Sequence, residues 1–388
     1  MQAVEAWEAA GRRGIVSVVT GAGKTLFAEM CMAAYRNSQP GGLIFVLVPT
    51  LALLDQWYVS LSEDMGLGES DIGTFSGEGH ARGWRDVNLV VLNTSRVLHQ
   101  RIPAERSMLV VDECHRAATP ENSKALSARY AATLGMSATP ERDYDAGMEE
   151  LLVPSLGPLV YTYDYNAAAA DGVVAPFDLV NIGVDMSVRE LSEYERLTKK
   201  IAVQLRRLHA GEDVEPAVRR LLQQRAAVAA QASMRIPVTI RLIEDNRGAR
   251  TLVFHERIPA ANQIYEALRR RGVSATIYHS RIDGVVRRDN LRLFRRGAFE
   301  VLVTCRALDE GVNVPETRVA VIASSTASTR QRIQRLGRVL RPAPGKASAT
   351  VYTIYASEPE HRRLAGEAAD LVGARSVSWQ KASVAARG

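Results

Sequence analysis

The sequence predicts an α/β protein with two tandem parallel-sheet domains and a helical insert between them. Three observations carry that expectation. Short apolar runs alternate with helix-patterned stretches, and the alternation occurs twice along the 388 residues. A glycine-rich TGAGKT loop at 20–25 follows the first run, and DECH at 112–115 ends a later one. Parallel sheets present their ligands at such strand ends.

The first strand series is expected at Ile15–Val19, Leu43–Val48, Leu89–Leu92, Met108–Val111 and Thr133–Met136. These are continuous apolar runs, the pattern of strands covered on both faces. From 187 the rhythm changes: Ile201, Leu205 and Leu208 recur among charged residues as on an amphipathic helix. This stretch reads as a helical insert or linker, and it carries more basic than acidic groups. A second strand series is expected at Thr251–Phe254, Ala275–Tyr278, Val301–Thr304, Val319–Ala323 and Thr350–Tyr355. The expected divisions are therefore 1–186, 187–247 and 248–388, with a tail that is helical after Glu358 and then frays.

Hydrophobic residues make up 46% of the chain and charged residues 24%, a globular balance. No apolar run approaches the roughly 20 residues that span a bilayer, and the first residues leave no room for a secretory signal. The expectation is a soluble cytoplasmic protein without membrane contact. Cys31, Cys114 and Cys305 are too scattered for a zinc knuckle and are read as structural. The net charge of +6 suits a polyanionic partner without requiring one.

The TGAGKT loop has the chemistry of a phosphate cradle. Glycines let backbone amides close on an anion, lysine reaches the terminal phosphates and a hydroxyl holds magnesium. The chain has only six lysines against 43 arginines, so a lysine directly after Gly23 is informative. Thr20, Gly21, Ala22, Gly23, Lys24 and Thr25 are the expected nucleotide contacts. The acidic pair Asp112 and Glu113 follows an apolar strand, where it reads either as a helix cap or as metal ligand and base; the upstream loop favours the second. ATP and Mg2+ are the expected cofactors.

Together with PTLALLDQW at 49–57, SATP at 137–140, VTCRALDEGVNVP at 303–315 and QRLGRVLR at 334–341, these blocks resemble a superfamily 2 helicase. The likeness is to the XPB-like and UvsW-like branch of the DEAD/DEAH motors, and it extends over nearly the whole chain. It implies two RecA-like domains that couple ATP hydrolysis to movement along one nucleic-acid strand, DNA rather than RNA, travelling 3′ to 5′. The alternatives are a translocase subunit, without strand separation, of a repair, restriction or defence complex that includes protein partners, and a slowly hydrolysing nucleic-acid clamp.

The resemblance also implies roles. Thr25 and Asp112 hold Mg2+, and Glu113 is the catalytic base. Gln334, Arg338 and Arg341 serve the transition state. Gln2, Asp309 and Gly311 contact the nucleotide. Thr50, Thr94 and Thr304 grip the strand backbone, although each threonine taken alone reads more readily as an ordinary cap or turn. His115, Ser137 and Thr139 couple the nucleotide site to the strand, with capping of the turn before Pro140 as the other reading of the last two.

Overall fold

Why the apolar runs become strands is visible in a computed structural model, which describes residues 2–19, 22–137, 147–164, 167–168, 171, 177–305, 317–324, 349–369 and 374–382. Successive residues of each run serve opposite faces of a sheet. In the strand Ser107–Asp112, Met108 and Val110 enter one apolar cluster with Trp7, Met32 and Trp57, while Leu109 and Val111 enter another with Phe45, Leu126 and Tyr130. Each aliphatic side chain so buried contributes about 1.5–3 kcal/mol.

The chain divides into two compact units. The first is built mainly from residues up to 174, with Ser280–Arg292 counted with it, and the second mainly from residues 175 onward. The strands of the first are β1 (Arg13–Val18), β2 (Leu43–Val48), β3 (Ile72–Ser76), β4 (Gly79–His80), β5 (Val87–Val91), β6 (Ser107–Asp112), β7 (Ala132–Ser137) and β8 (Leu159–Tyr163). Their order is β4-β3-β5-β2-β6-β7-β1-β8. All neighbours are parallel except the β3–β4 pair. The longer helices of this unit are α1 (Gln2–Ala9), α2 (Lys24–Ser38), α3 (Leu51–Glu63) and α4 (Leu92–Leu98). Trp7 fastens α1 to the sheet by donating its indole N–H to the Thr133 carbonyl at 2.9 Å. On β7, a Cβ at Gly135 would lie 2.9 Å from the Leu156 side chain and 3.1 Å from Ile15, so a larger residue there would have to displace these side chains.

The second unit contains β9 (Phe177–Gly183), the helices α5 (Val188–His209), α6 (Glu215–Ala230) and α7 (Arg235–Asp245), and then β10 (Thr251–His255), α8 (Ile258–Arg270) and β11 (Ala275–Tyr278). It continues through β12 (Val301–Cys305), β13 (Val319–Ile322), β14 (Ala349–Tyr355), α9 (Glu358–Ala369) and β15 (Ala374–Lys381). The sheet order is β11-β12-β10-β13-β14-β9-β15, and every recorded pair is parallel. Ser187 begins α5 with a reciprocal cap: its hydroxyl accepts from the Glu190 N–H and the Glu190 carboxylate accepts from the Ser187 N–H.

Two expectations are corrected here. The sheet boundary expected at 186 falls before Phe177, because β9 pairs with β14 and β15 of the second sheet. The tail does not simply fray after its helix, because residues 374–381 form β15 along β9.

Arg235 knits the second unit together. Its buried guanidinium donates to the carbonyls of Ala229, Ala323 and Ile354 and to both carboxylate oxygens of Glu360. A buried arginine needs such complete pairing to offset desolvation.

Among the described residues, no helix is long and apolar enough to cross a membrane. Cys31, Cys114 and Cys305 are free thiols and buried.

Candidate nucleotide and nucleic-acid site

In the first sheet, β7 lies between β6 and β1, which brings three chemically loaded strand ends side by side. β1 leads into the phosphate loop, β7 ends on Ser137 and β6 ends on Asp112. The registers confirm the alignment, with Ser17 opposite Ser137 and Asp112 opposite Met136.

Gly23 precedes α2 with φ at 89°, and a Cβ there would meet no atom within 4 Å. It is the left-handed backbone, not crowding, that calls for glycine. The N-cap residue Gly23 supplies no side-chain cap to this end of α2, and the N–H groups of a helix start suit an anion. Lys24 is the first residue of the helix and its amine lies 3.3 Å from Glu113 Oε1. Ala22 and half-buried Thr25 flank that position.

Asp112 is buried, and both its oxygens are engaged. Oδ2 accepts from the Trp57 indole at 2.9 Å, and Oδ1 accepts from the Glu113 N–H at 2.9 Å. Burial, and then the Glu113 carboxylate beside it, push the Asp112 carboxyl above its ordinary range, against the opposing pull of Lys24 and Trp57. A divalent cation would reverse that balance. Glu113 itself sits in the left-handed region at φ 48° and ψ 50°, an uncommon place for a glutamate. That backbone turns the carboxylate back toward Lys24. His115 Nδ1 lies 3.5 Å from Glu113 Oε2 and 2.9 Å from the Ser137 hydroxyl. The neighbouring Cys114 thiol is pushed up to about 12, chiefly by burial, which leaves it inert.

These residues fit a nucleotide and its magnesium. Helix-start amides and Lys24 offer positive charge to phosphates, and Asp112 with the Thr25 hydroxyl offers hard oxygen donors.

The structure therefore brings Lys24, Asp112, Glu113, His115 and Ser137 together. Trp57 joins them unforeseen: the PTLALLDQW block contains it, but its indole bond to Asp112 depends on α3 packing over a strand far along the chain. Gln2 opens α1 with an exposed side chain. Thr50 caps α3, accepting from the Leu53 N–H at 3.4 Å. Thr94 lies on α4 and lines a surface cavity. Thr304 lies on β12 with 0% exposure, and its hydroxyl has no hydrogen-bond partner among the described residues. Thr20, Gly21, Thr139, Asp309, Gly311, Gln334, Arg338 and Arg341 lie outside the described residues.

Comparison with known proteins gives two family matches. Residues 1–142 match "Type III restriction enzyme, res subunit", and residues 234–343 match "Helicase conserved C-terminal domain". The "DNA 3'-5' translocase XPB2" of Sulfurisphaera tokodaii is 25% identical over 359 residues, covering 88% of this chain and 77% of that protein. The "DNA 3'-5' helicase XPB" of Mycobacterium tuberculosis is 25% identical over 361 residues, covering 90% of this chain but 58% of its own length. Among solved structures, S. cerevisiae Dbp5 bound to RNA and ADP BeF3 superposes with a TM-score of 0.60 at 13% identity, covering 95% of this chain and 85% of that one. At that identity the likeness concerns the fold.

Proposed function

Because the chain belongs to the XPB-like branch of the superfamily 2 helicases, we propose that it is a nucleic-acid-stimulated ATPase that travels 3′ to 5′ along one DNA strand and separates duplexes. The observation that carries this reading is the convergence of Lys24, Glu113 and the Trp57-held Asp112 at neighbouring strand ends.

In this reading Thr20 through Thr25 hold the triphosphate, and Thr25 and Asp112 hold Mg2+. When bound, the nucleotide and its metal supply the transferable phosphoryl group and neutralise its charge. Lys24 exchanges Glu113 for phosphate oxygens, which releases the Glu113 carboxylate to orient the attacking water and accept its proton. The unusual Glu113 backbone fixes the direction of that carboxylate. Ser137 and His115 read the state of Glu113 through their short contacts and pass it along β7. Gln334, Arg338 and Arg341 complete the charge around the phosphoryl group, with Gln2, Asp309 and Gly311 as further nucleotide contacts.

A second reading is a translocase that serves a larger assembly. It is favoured by the match of residues 1–142 to a restriction-enzyme subunit.

The test is fluorescent strand displacement by wild type and Lys24→Ala, with hydrolysis measured on single-stranded DNA, duplex DNA and RNA in parallel. Displacement and DNA-stimulated hydrolysis by wild type alone are expected. Equal activity of the two proteins would remove the proposal, and triplex displacement without duplex separation would select the second reading.

A further inference from the structure

The β3–β4 hairpin sets Phe75 directly opposite His80, with ring centroids 6.0 Å apart. Trp84 follows, 4.8 Å from Phe75 and edge-on to Phe45 at 5.0 Å. Its indole N–H donates to the Arg101 carbonyl at 3.2 Å, which fixes the plane of the ring. The rings thus run in file from buried Phe45 out to exposed His80, beside a cavity of about 620 Å³ that Thr94 also lines.

We propose that this cavity, walled by Phe75, His80, Trp84, Thr94, Val97 and Arg101, receives one unpaired base of the strand on which the protein moves. The proposal rests on the nucleic-acid reading above and adds a base-stacking subsite to it. The volume lies in the range that encloses a small-molecule-sized group such as a nucleotide. Every base has a π-face, so an aromatic wall accepts it without regard to sequence. Phe45 and Phe75 are buried in the core beneath, whereas Trp84 is half-buried and His80 exposed, so these two rings are the ones left to face an occupant, with Val97 78% exposed at the rim. Charge selects the occupant. Arg82 and Arg85 are exposed on either side of Trp84, and Arg101 makes no ion pair with any described residue. An apolar peptide would gain nothing from these cations, whereas the phosphates flanking a stacked base would be neutralised by them.

The test uses the full chain with single-stranded DNA carrying 5-iodouracil, irradiated and mapped by mass spectrometry. Adducts on His80 or Trp84 are expected, and adducts confined to other places while the DNA is bound would overturn the proposal. In parallel, wild type should bind an oligonucleotide with abasic sites roughly tenfold more weakly than the intact one. Val97→Asp should remove that difference by placing a carboxylate at the rim. Equal binding of both oligonucleotides by wild type counts against the pocket alone. Failure to bind either, with hydrolysis unstimulated, counts against the motor reading and the pocket together. The cross-link map needs no variant, so the test stands even if Val97→Asp does not fold.

Discussion

The Trp57 indole nitrogen lies 2.9 Å from Asp112 Oδ2, joining the PTLALLDQW block to the acidic strand end. Both groups are buried, so the bond orients the carboxylate that we propose holds magnesium. Trp57→Phe keeps the ring but withdraws the donor. Denaturant unfolding should show a loss of about 1–2 kcal/mol, and the Mg2+ concentration for half-maximal hydrolysis should rise severalfold.

Glu113 combines a left-handed backbone with contacts to Lys24 and His115. Glu113→Gln preserves the shape and removes the carboxylate proposed as proton acceptor. DNA-stimulated turnover should fall by about 100-fold or more, with nucleotide affinity nearly unchanged when followed by a fluorescent ATP analogue.

His255 offers a pH handle on stability. Burial, reinforced by the nearby Arg235 guanidinium, lowers its pKa to about 4, and its Nδ1 accepts from the Arg257 N–H at 3.0 Å, a role that requires the unprotonated nitrogen. An unfolded histidine titrates near 6.5, so between those values the unfolded chain binds more protons than the folded one. Stability is then full above about pH 6.5 and falls as pH drops toward 4, by up to about 3 kcal/mol. Urea midpoints measured across this window should slope for wild type and flatten for His255→Asn.

Arg235 satisfies three backbone carbonyls and one carboxylate from inside the second unit. Arg235→Ala withdraws the guanidinium from those carbonyls and from Glu360, which keeps its bonds from Ala356 and Ser357 but loses its counter-charge, and should cost about 3–5 kcal/mol. Thermal melting of the variant would register this directly. Arg235→Lys should recover only part of the loss, because an ammonium cannot replace the planar fork of donors.

Strands buried on both faces announced themselves as unbroken apolar runs, as at Leu43–Val48, whose expected and observed limits coincide. The strands that went unseen lack that signature. β15, ARSVSWQK, is exposed along most of its length and stays extended because β9 pairs with it. β3 contains Gly73 and β8 alternates tyrosine with exposed residues. Such segments owe their conformation to partners distant in sequence, which no local pattern encodes. The site divides similarly. Lys24 and Asp112 were legible because phosphate and metal chemistry restrict residue type and spacing. The Trp57 donor and the His115–Ser137 contact at 2.9 Å were not legible as geometry, since they arise from strand order.

Because β9 already lies within the second sheet, the helical stretch α5–α7 leaves that sheet after Gly183 and rejoins it at Thr251. It is an excursion from a single sheet, not a tether joining two. Arg235 anchors its far end, whereas α5 and α6 bury Leu197, Ile201 and Val218 in a hairpin. Among the described residues, only the C-terminal end of α6 is tied back to the sheet side, through the Ala229 carbonyl on Arg235 and the Ala230 carbonyl on Ser324, so the tip of the hairpin stands clear of the strand pairing.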